Sequence, residues 1–374
     1  MKYIDPRAQF EGRKVVHPSQ RQHHVTPITA PLYVVTAVTN PFRYYARTKL
    51  YQAFEKYVAD SGAILYTVEL ALRDRHFEIT DYANPRHIQL RSPSVLWHKE
   101  NLLNVAMRRL PADAEYIAWI DADVTFSRPD WVEETLHQLQ LYKIVQMWTH
   151  SIDLGPNQEL IAQCTSLFSS YLKDRHILQP LDRKKPADLD ETGAQRELAS
   201  TSLPQVKGNH AYDMAMAANK PLSNEGKGLM HTGYAWAARR SFLSDVGGLG
   251  DIGVLGSGDR HMAYAILGAV DRSFPTGIHP HYKNYWLRWQ AAALKSARME
   301  VGAVPATLTH QWHGSKQNRR YQDRWKVLVG DQFDPLADIK YDFQGVLEFT
   351  GSNTRLRDDV KNYFAVRNED SIDL

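Results

Sequence analysis

Residues 116–126 read YIAWIDADVTF. Five apolar residues run directly into Asp121-Ala122-Asp123, as if a buried strand ended in two carboxylates. Open α/β sheets bind ligands at that carboxyl edge. Strand alternation would put Asp121 and Asp123 on one side. Neighbouring carboxylates repel and lose hydration unless a cation joins them. A hard divalent ion, Mg²⁺ or Mn²⁺, would resolve this and could bridge a diphosphate. The bland alternative is a strand-end acidic pair that caps a helix or meets an arginine.

Working outward, strands alternate with helices. Residues 31–39 (PLYVVTAVT) form a short β-branched run stopped by Asn40-Pro41. Residues 42–62 show helical spacing through Tyr44, Leu50, Phe54 and Tyr57, ended by Gly62. Residues 63–72 and 87–92 read as a second and a third strand. Ser94 would cap a helix that Pro111 ends. Residues 114–126 give the fourth strand, 129–142 a helix opening on proline and acids, and 143–150 a fifth strand. The expected fold is α/β, with a mostly parallel, Rossmann-like central sheet flanked by helices.

The remaining segments divide the chain. Residues 1–30 are polar and His-rich and read as an arm, ahead of the 31–150 half. Residues 151–228, including DRKKPADLDETGAQ, read as an insertion or lid. Patterning returns over 229–330, and 331–374 is a mixed tail expected to pack on the core. Composition sets further bounds. One cysteine, Cys164, rules out an internal disulfide and any Cys-based zinc cluster, so a metal must be held by Asp and His. Cys164 itself reads as a buried small hydrophobe. No apolar run reaches the roughly 18–20 residues a membrane span needs, and residues 1–10 lack an apolar signal core. A soluble, cytoplasmic protein is the expectation. The net charge of +3 is too small to indicate nucleic-acid binding by itself.

YIAWIDADVTF after a βαβα start resembles the nucleotide-binding half of GT-A-fold glycosyltransferases, whose D-x-D holds the metal and the sugar-nucleotide. Residues 231–265 (HTGYAWAARRSFLSDVGGLGDIGVLGSGDRHMAYA) look like that superfamily's acceptor-side block. Residues 309–325 (THQWHGSKQNRRYQDRW) resemble its later His-bearing segment. The whole is similar to glycosyltransferase-like proteins frequent in bacteriophage genomes. The resemblance spans about residues 31–330. It implies a GT-A-like fold with a C-terminal acceptor-side elaboration, and a nucleotide-sugar co-substrate expected to be UDP-linked. By the same resemblance Asp123 would coordinate the metal, and Asp121 would contact the ribose or a metal-bound water. Thr36 and Asn40 would line the base, Glu69 would bind base or ribose, and Lys99 would approach the base. Each of the four has a bland alternative: Asn40 would simply cap a turn, and Lys99 would be a solvated helix residue.

Asp259 opens a helix and is the expected general base for an acceptor hydroxyl, though it could equally serve as an N-terminal cap. The block departs from the family in reading Ser257-Gly258-Asp259, without a paired acid, which leaves inversion or retention unassigned. His310 and His313 are candidate metal ligands beside the D-x-D. Lys316 and Arg319 are the expected phosphate partners. Residues 316, 320 and 324 would align on one helix face, and a solvated basic face is the commoner reading of such a run. Tyr282, Tyr285, Trp286 and Trp289 could stack on a sugar but fit a core better. His231 and Trp236 are candidates for the acceptor pocket.

The reaction implied is sugar transfer to an acceptor hydroxyl. The acceptor could be a hydroxymethylated pyrimidine in phage DNA, a surface glycan or a protein. A DNA base would have to flip out of the duplex. A nucleotidyltransferase would need a Gly-rich loop after the first strand, which residues 36–45 lack. A non-catalytic carbohydrate-binding protein would be expected to have lost the donor-site acids.

Overall fold

A computed structural model describes residues 29–175, 177–178, 230–315, 317–320 and 323–372. The expected arm falls almost wholly outside these residues, as does most of the 151–228 insertion.

Strand β1 (Leu32–Thr39) is nearly all buried, which is why an unbroken β-branched run serves there. Helix α1 (Tyr45–Asp60) carries the chain back to β2 (Ile64–Leu72), which pairs in parallel with β1. The α1 face that packs inward is Tyr51, Phe54 and Val58, a shift of one position from the expected stripe. β3 (His87–Ser92) extends the sheet beyond β2. Helix α2 (Lys99–Met107) leads to β4 (Tyr116–Ile120), parallel to β1 on its other side. α2 starts five residues after Ser94, whose hydroxyl instead accepts from the Phe349 amide. Next come β5 (Val124–Phe126), α3 (Trp131–Leu141), β6 (Ile144–Gln146), β7 (His150–Leu154), β8 (Leu160–Ser166) and α4 (Leu167–Lys173).

After residue 229 the order is β9 (Met230–His231), β10 (Ala235–Arg239), α5 (Arg240–Val246), α6 (Gly258–Ile266) and α7 (Pro280–Ala297). β11 (Gly302–Ala303), β12 (Thr307–His310), α8 (Asp323–Gly330), β13 (Ile339–Tyr341), β14 (Leu347–Phe349) and α9 (Thr354–Ala365) complete the described chain. No described helix is long and apolar enough to cross a membrane.

The main sheet has seven strands in the order β11-β6-β10-β4-β1-β2-β3. All its pairings are parallel except those of β10, which is antiparallel to β4 and β6. The expected α/β class, with a mostly parallel sheet between helices, is what the chain adopts. β4 feeds both sides of it: Ile117 and Trp119 enter one core cluster, and Tyr116, Ala118 and Ile120 the other. Trp236 stacks on Trp119 and is buried, so it is a core residue. Tyr282, Trp286 and Trp289 are likewise core, on α7.

A second sheet, β5-β12-β7-β8-β9, corrects two expected strands. The segment 116–126 is not one strand: β4 stays in the main sheet and β5 joins the second, so the D-x-D is the turn between them. Segment 143–150 splits in the same way into β6 and β7. Met147 and Trp148 are wholly buried at that crossing, and the Trp148 indole donates to the Gly233 carbonyl.

Candidate active site

Where β4 ends, the Asp121 amide donates to the Tyr234 carbonyl at 2.9 Å and the chain turns toward β5. β12 lies between β5 and β7. Its register sets His310 opposite Val124 on one side and Asp153 on the other. His310 therefore arrives beside Asp123, and His313 follows from the next loop.

Three side chains converge there. His313 Nε2 is 3.0 Å from Asp123 Oδ2, His310 Nε2 is 3.8 Å from the same oxygen, and the two Nε2 atoms are 3.2 Å apart. Adjacent ligands of an octahedral ion with bonds of about 2.1 Å lie about 3 Å apart, so the spacing suits a cation. Asp123 Oδ1 is buried with no hydrogen-bond partner among the described residues. Such an orphan carries a desolvation cost that an ion would remove. Burial lowers the His310 pKa despite the nearby Asp123 and Asp153, so the ring is neutral near pH 7 and fit to coordinate. Burial raises the Asp123 carboxyl, but His310, His313 and Arg319 overcome it and hold the group well below the usual carboxylate range. Another His-Asp group, His279, His281 and Asp334, also converges at the surface. There His279 Nδ1 accepts from the His281 amide and His281 bonds Asp334 at 2.9 Å, so ordinary hydrogen bonds account for it.

Asp121 does not join the three. The D-x-D is a turn, and the Asp121 carboxylate pairs with the ammonium of Lys99, the first residue of α2. Burial pushes Asp121 up to about 6 against the pull of Lys99. Burial lowers Lys99, but Asp121, Asp259 and Glu100 outweigh it and raise the ammonium above its ordinary value. Glu100 accepts from the Trp97 indole at 2.8 Å, and burial pushes its carboxyl up to about 7.

Asp259 sits in the first turn of α6, after Gly256 (φ +91°) and Ser257 (φ +75°). Its Oδ1 accepts from the Arg260 amide. A Cβ at Gly233 would come within 2.5 Å of Asp259 Oδ2 and 2.9 Å of His231 Cε1. Only glycine lets the carboxylate lie against the β9–β10 turn.

Arginines and the C-terminal segment close the other side. Glu369, 1% exposed, pairs with Arg47 of α1 and Arg367, and its Oε2 lies 3.8 Å from His313 Nδ1. Gly314 (φ +86°) makes room, since a Cβ there would meet Glu369 Cα at 2.7 Å. Asp370 accepts from the Tyr45 and Ala46 amides at the start of α1. The Trp312 indole donates to the Ser371 carbonyl, and the Tyr363 hydroxyl to the Arg319 carbonyl.

Lys99, Asp121, Asp123, Asp259, His310, His313 and Arg319 thus face one cavity of about 260 Å³, along with His231. Thr36, Asn40 and Glu69 do not line it. The Thr36 hydroxyl donates to the Ile120 carbonyl across the sheet. The Asn40 side chain brackets the turn into α1, bonding the Tyr44 amide and carbonyl. Glu69 accepts from the amides of Glu78, Ile79 and Thr80 and from the Thr80 hydroxyl, pinning that loop. Their polar atoms serve the fold. Lys316 lies outside the described residues. Arg320 has φ +44° and precedes α8, so Arg320 and Arg324 do not share a helix face. Sequence reasoning missed Arg47, Asp153, Tyr234, Arg367 and Glu369. Arg47 could have been found, since it follows the carboxyl end of β1.

No protein-family model matches the chain, and no curated protein matches it. Among solved structures it is similar to the catalytic domain of Drosophila β1,4-galactosyltransferase 7 in complex with xylobiose. That match has 11% identity and a TM-score of 0.26, over 74% of this chain and 65% of the other. It is also similar to a Desulfovibrio desulfuricans protein assigned as a nucleotide-diphospho-sugar transferase. Here identity is 13% and the TM-score 0.22, over 35% of this chain and 61% of the other. The chain spans less than two thirds of either structure, and overlap this loose fixes neither chemistry nor substrate.

Proposed function

We propose that the protein is a metal-dependent glycosyltransferase that moves a sugar from a nucleotide-sugar, UDP-linked in our reading, to an acceptor hydroxyl. The carrying observation is the Asp123–His310–His313 cluster, with arginines on one flank and Asp259 in the same cavity. Two imidazoles beside one carboxylate favour a transition ion, Mn²⁺ in this reading, over Mg²⁺. When bound, the ion supplies Lewis-acid stabilisation of the diphosphate leaving group.

The chain's own residues do the rest. Arg47, Arg319 and Arg367 add fixed positive charge where the diphosphate oxygens gain negative charge. Lys99 holds Asp121 at the cavity wall. Asp259 takes the proton of the acceptor hydroxyl as its oxygen bonds the anomeric carbon and the carbon–oxygen bond to the diphosphate breaks. A hydroxymethylated pyrimidine in phage DNA, a surface glycan or a protein would each present such a hydroxyl.

The test is UDP release with Mn²⁺ and a panel of UDP-sugars, with and without hydroxymethylated DNA, glycan and protein acceptors. Hydrolysis or transfer with at least one donor is expected, and stimulation by one acceptor class identifies it. Silence with every donor overturns the reading.

A further inference from the structure

His310 is held from behind. Its Nδ1 lies 3.0 Å from Asp153 Oδ1, and the same oxygen accepts from the Tyr234 hydroxyl at 2.8 Å. Asp153 is 1% exposed, so burying this carboxylate is costly unless partners such as these stabilise it. The contact comes from backbone register, because the parallel β12–β7 ladder places His310 directly beside Asp153.

Tyr234 is unusual in its own right. It has φ +78°, a left-handed conformation costly for a residue with a bulky side chain. From it the carbonyl receives the Asp121 amide, the hydroxyl reaches Asp153, and the ring lies 4.9 Å from the His310 ring. His231 stacks on its ring at 4.1 Å. One strained residue thus touches the D-x-D turn, the histidine and the carboxylate behind it.

We infer that Asp153, held by Tyr234, is a positioning residue that fixes His310 as the Nδ1–H tautomer and turns its Nε2 lone pair toward Asp123. A carboxylate acceptor forces the proton onto Nδ1, since two lone pairs cannot face each other at 3.0 Å. Nε2 is then free of a proton on the side facing Asp123 and His313. Partners of this kind behind a metal-binding histidine set ring orientation and tautomer, and losing one typically weakens metal binding about 10–100-fold. The inference rests on the metal reading of the cluster, and its test separates the two.

The experiment uses the full chain and Mn²⁺ alone. Calorimetry measures Mn²⁺ affinity for wild type, Asp153→Asn, Tyr234→Phe and Asp123→Ala. ¹⁵N NMR of the metal-free proteins reads the His310 tautomer. The expected result is Nδ1–H in wild type and a tautomer mixture in Asp153→Asn. Mn²⁺ should bind Asp153→Asn about 10–100-fold more weakly, with a smaller loss in Tyr234→Phe. A merely structural Asp153 would change the melting temperature and leave the tautomer unchanged. Should Asp153→Asn fold poorly, Tyr234→Phe and the wild-type tautomer still decide the matter. Nε2–H in wild type, or equal Mn²⁺ affinity in wild type, Asp153→Asn and Tyr234→Phe, overturns the positioning role alone. Wild type that binds no Mn²⁺, or Asp123→Ala that binds it equally, overturns the metal reading itself, and with it the role assigned to Asp153.

Discussion

The Lys99 ammonium sits on the Asp121 carboxylate while Asp259 and Glu100 draw on the same charge. Lys99→Met leaves those acids without their shared cation. Asp121, already raised to about 6, should rise further. A carboxyl raised in the fold contributes stability below its unfolded pKa and loses it as pH rises through the folded value. The variant should therefore lag wild type more at pH 7.5 than at pH 5, by about 1–3 kcal/mol. Urea unfolding at the two pH values measures this.

Asp123 and Asp259 should separate binding from turnover. Asp123→Ala should abolish Mn²⁺-dependent UDP binding, since it removes the carboxylate between the two histidines. Asp259→Asn should leave that binding intact and lower turnover about 10²–10⁴-fold. Calorimetry and UDP-release assays check the pair, and full activity in Asp259→Asn would show that the base lies elsewhere.

Gly233 tests the spacing between the β9–β10 turn and α6. In Gly233→Ala the new methyl must displace the ends of Asp259 and His231. Both are side-chain ends, so the fold should survive. A shift of about 1 Å at a reacting group can cost about 10²-fold in rate. Unchanged melting with a large fall in turnover is the expected outcome.

His98 predicts an acid-labile fold. It is fully buried, with Nε2 3.0 Å from the Leu347 carbonyl, and burial lowers its pKa to about 4. Between the ordinary value near 6.5 and 4 the unfolded chain takes up a proton that the folded chain refuses. Stability should thus be full above pH 6.5 and fall by about 3 kcal/mol on acidification to pH 4. His98→Gln should be less stable at pH 7 but flatter across that window in denaturant titrations.

Glu369→Gln leaves Arg47 and Arg367 facing an uncharged amide. Removing one partner of a buried ion pair typically costs about 3–5 kcal/mol. The variant should melt at a lower temperature, and its donor affinity should fall as the arginines lose their fixed positions.

What the sequence revealed follows a physical divide. The apolar run before Asp121 marked the sheet edge because burial is written locally, in consecutive residues. His310 and His313 stood out because few side-chain types can donate to a cation, and the fold brings both beside Asp123. Thr36, Asn40 and Glu69 misled because a polar residue at a strand end serves the backbone as readily as a ligand, and only the neighbouring amides decide. The D-x-D turn was hidden because YIAWIDADVTF has strand propensity throughout and the change of sheet depends on partners far along the chain. Arg47 and Glu369 could not be paired by inspection, since 322 residues separate them.

That separation has a consequence for how the protein becomes active. Loop closure over hundreds of residues is slow and entropically costly, whereas β1, β2 and β3 can pair from nearby sequence. A chain caught midway would already hold a recognisable sheet while Arg47 still lacked its carboxylate and His313 its backing. Competence to bind the donor should therefore appear late in refolding, after most of the secondary structure, so that ligand binding reports on the finished molecule.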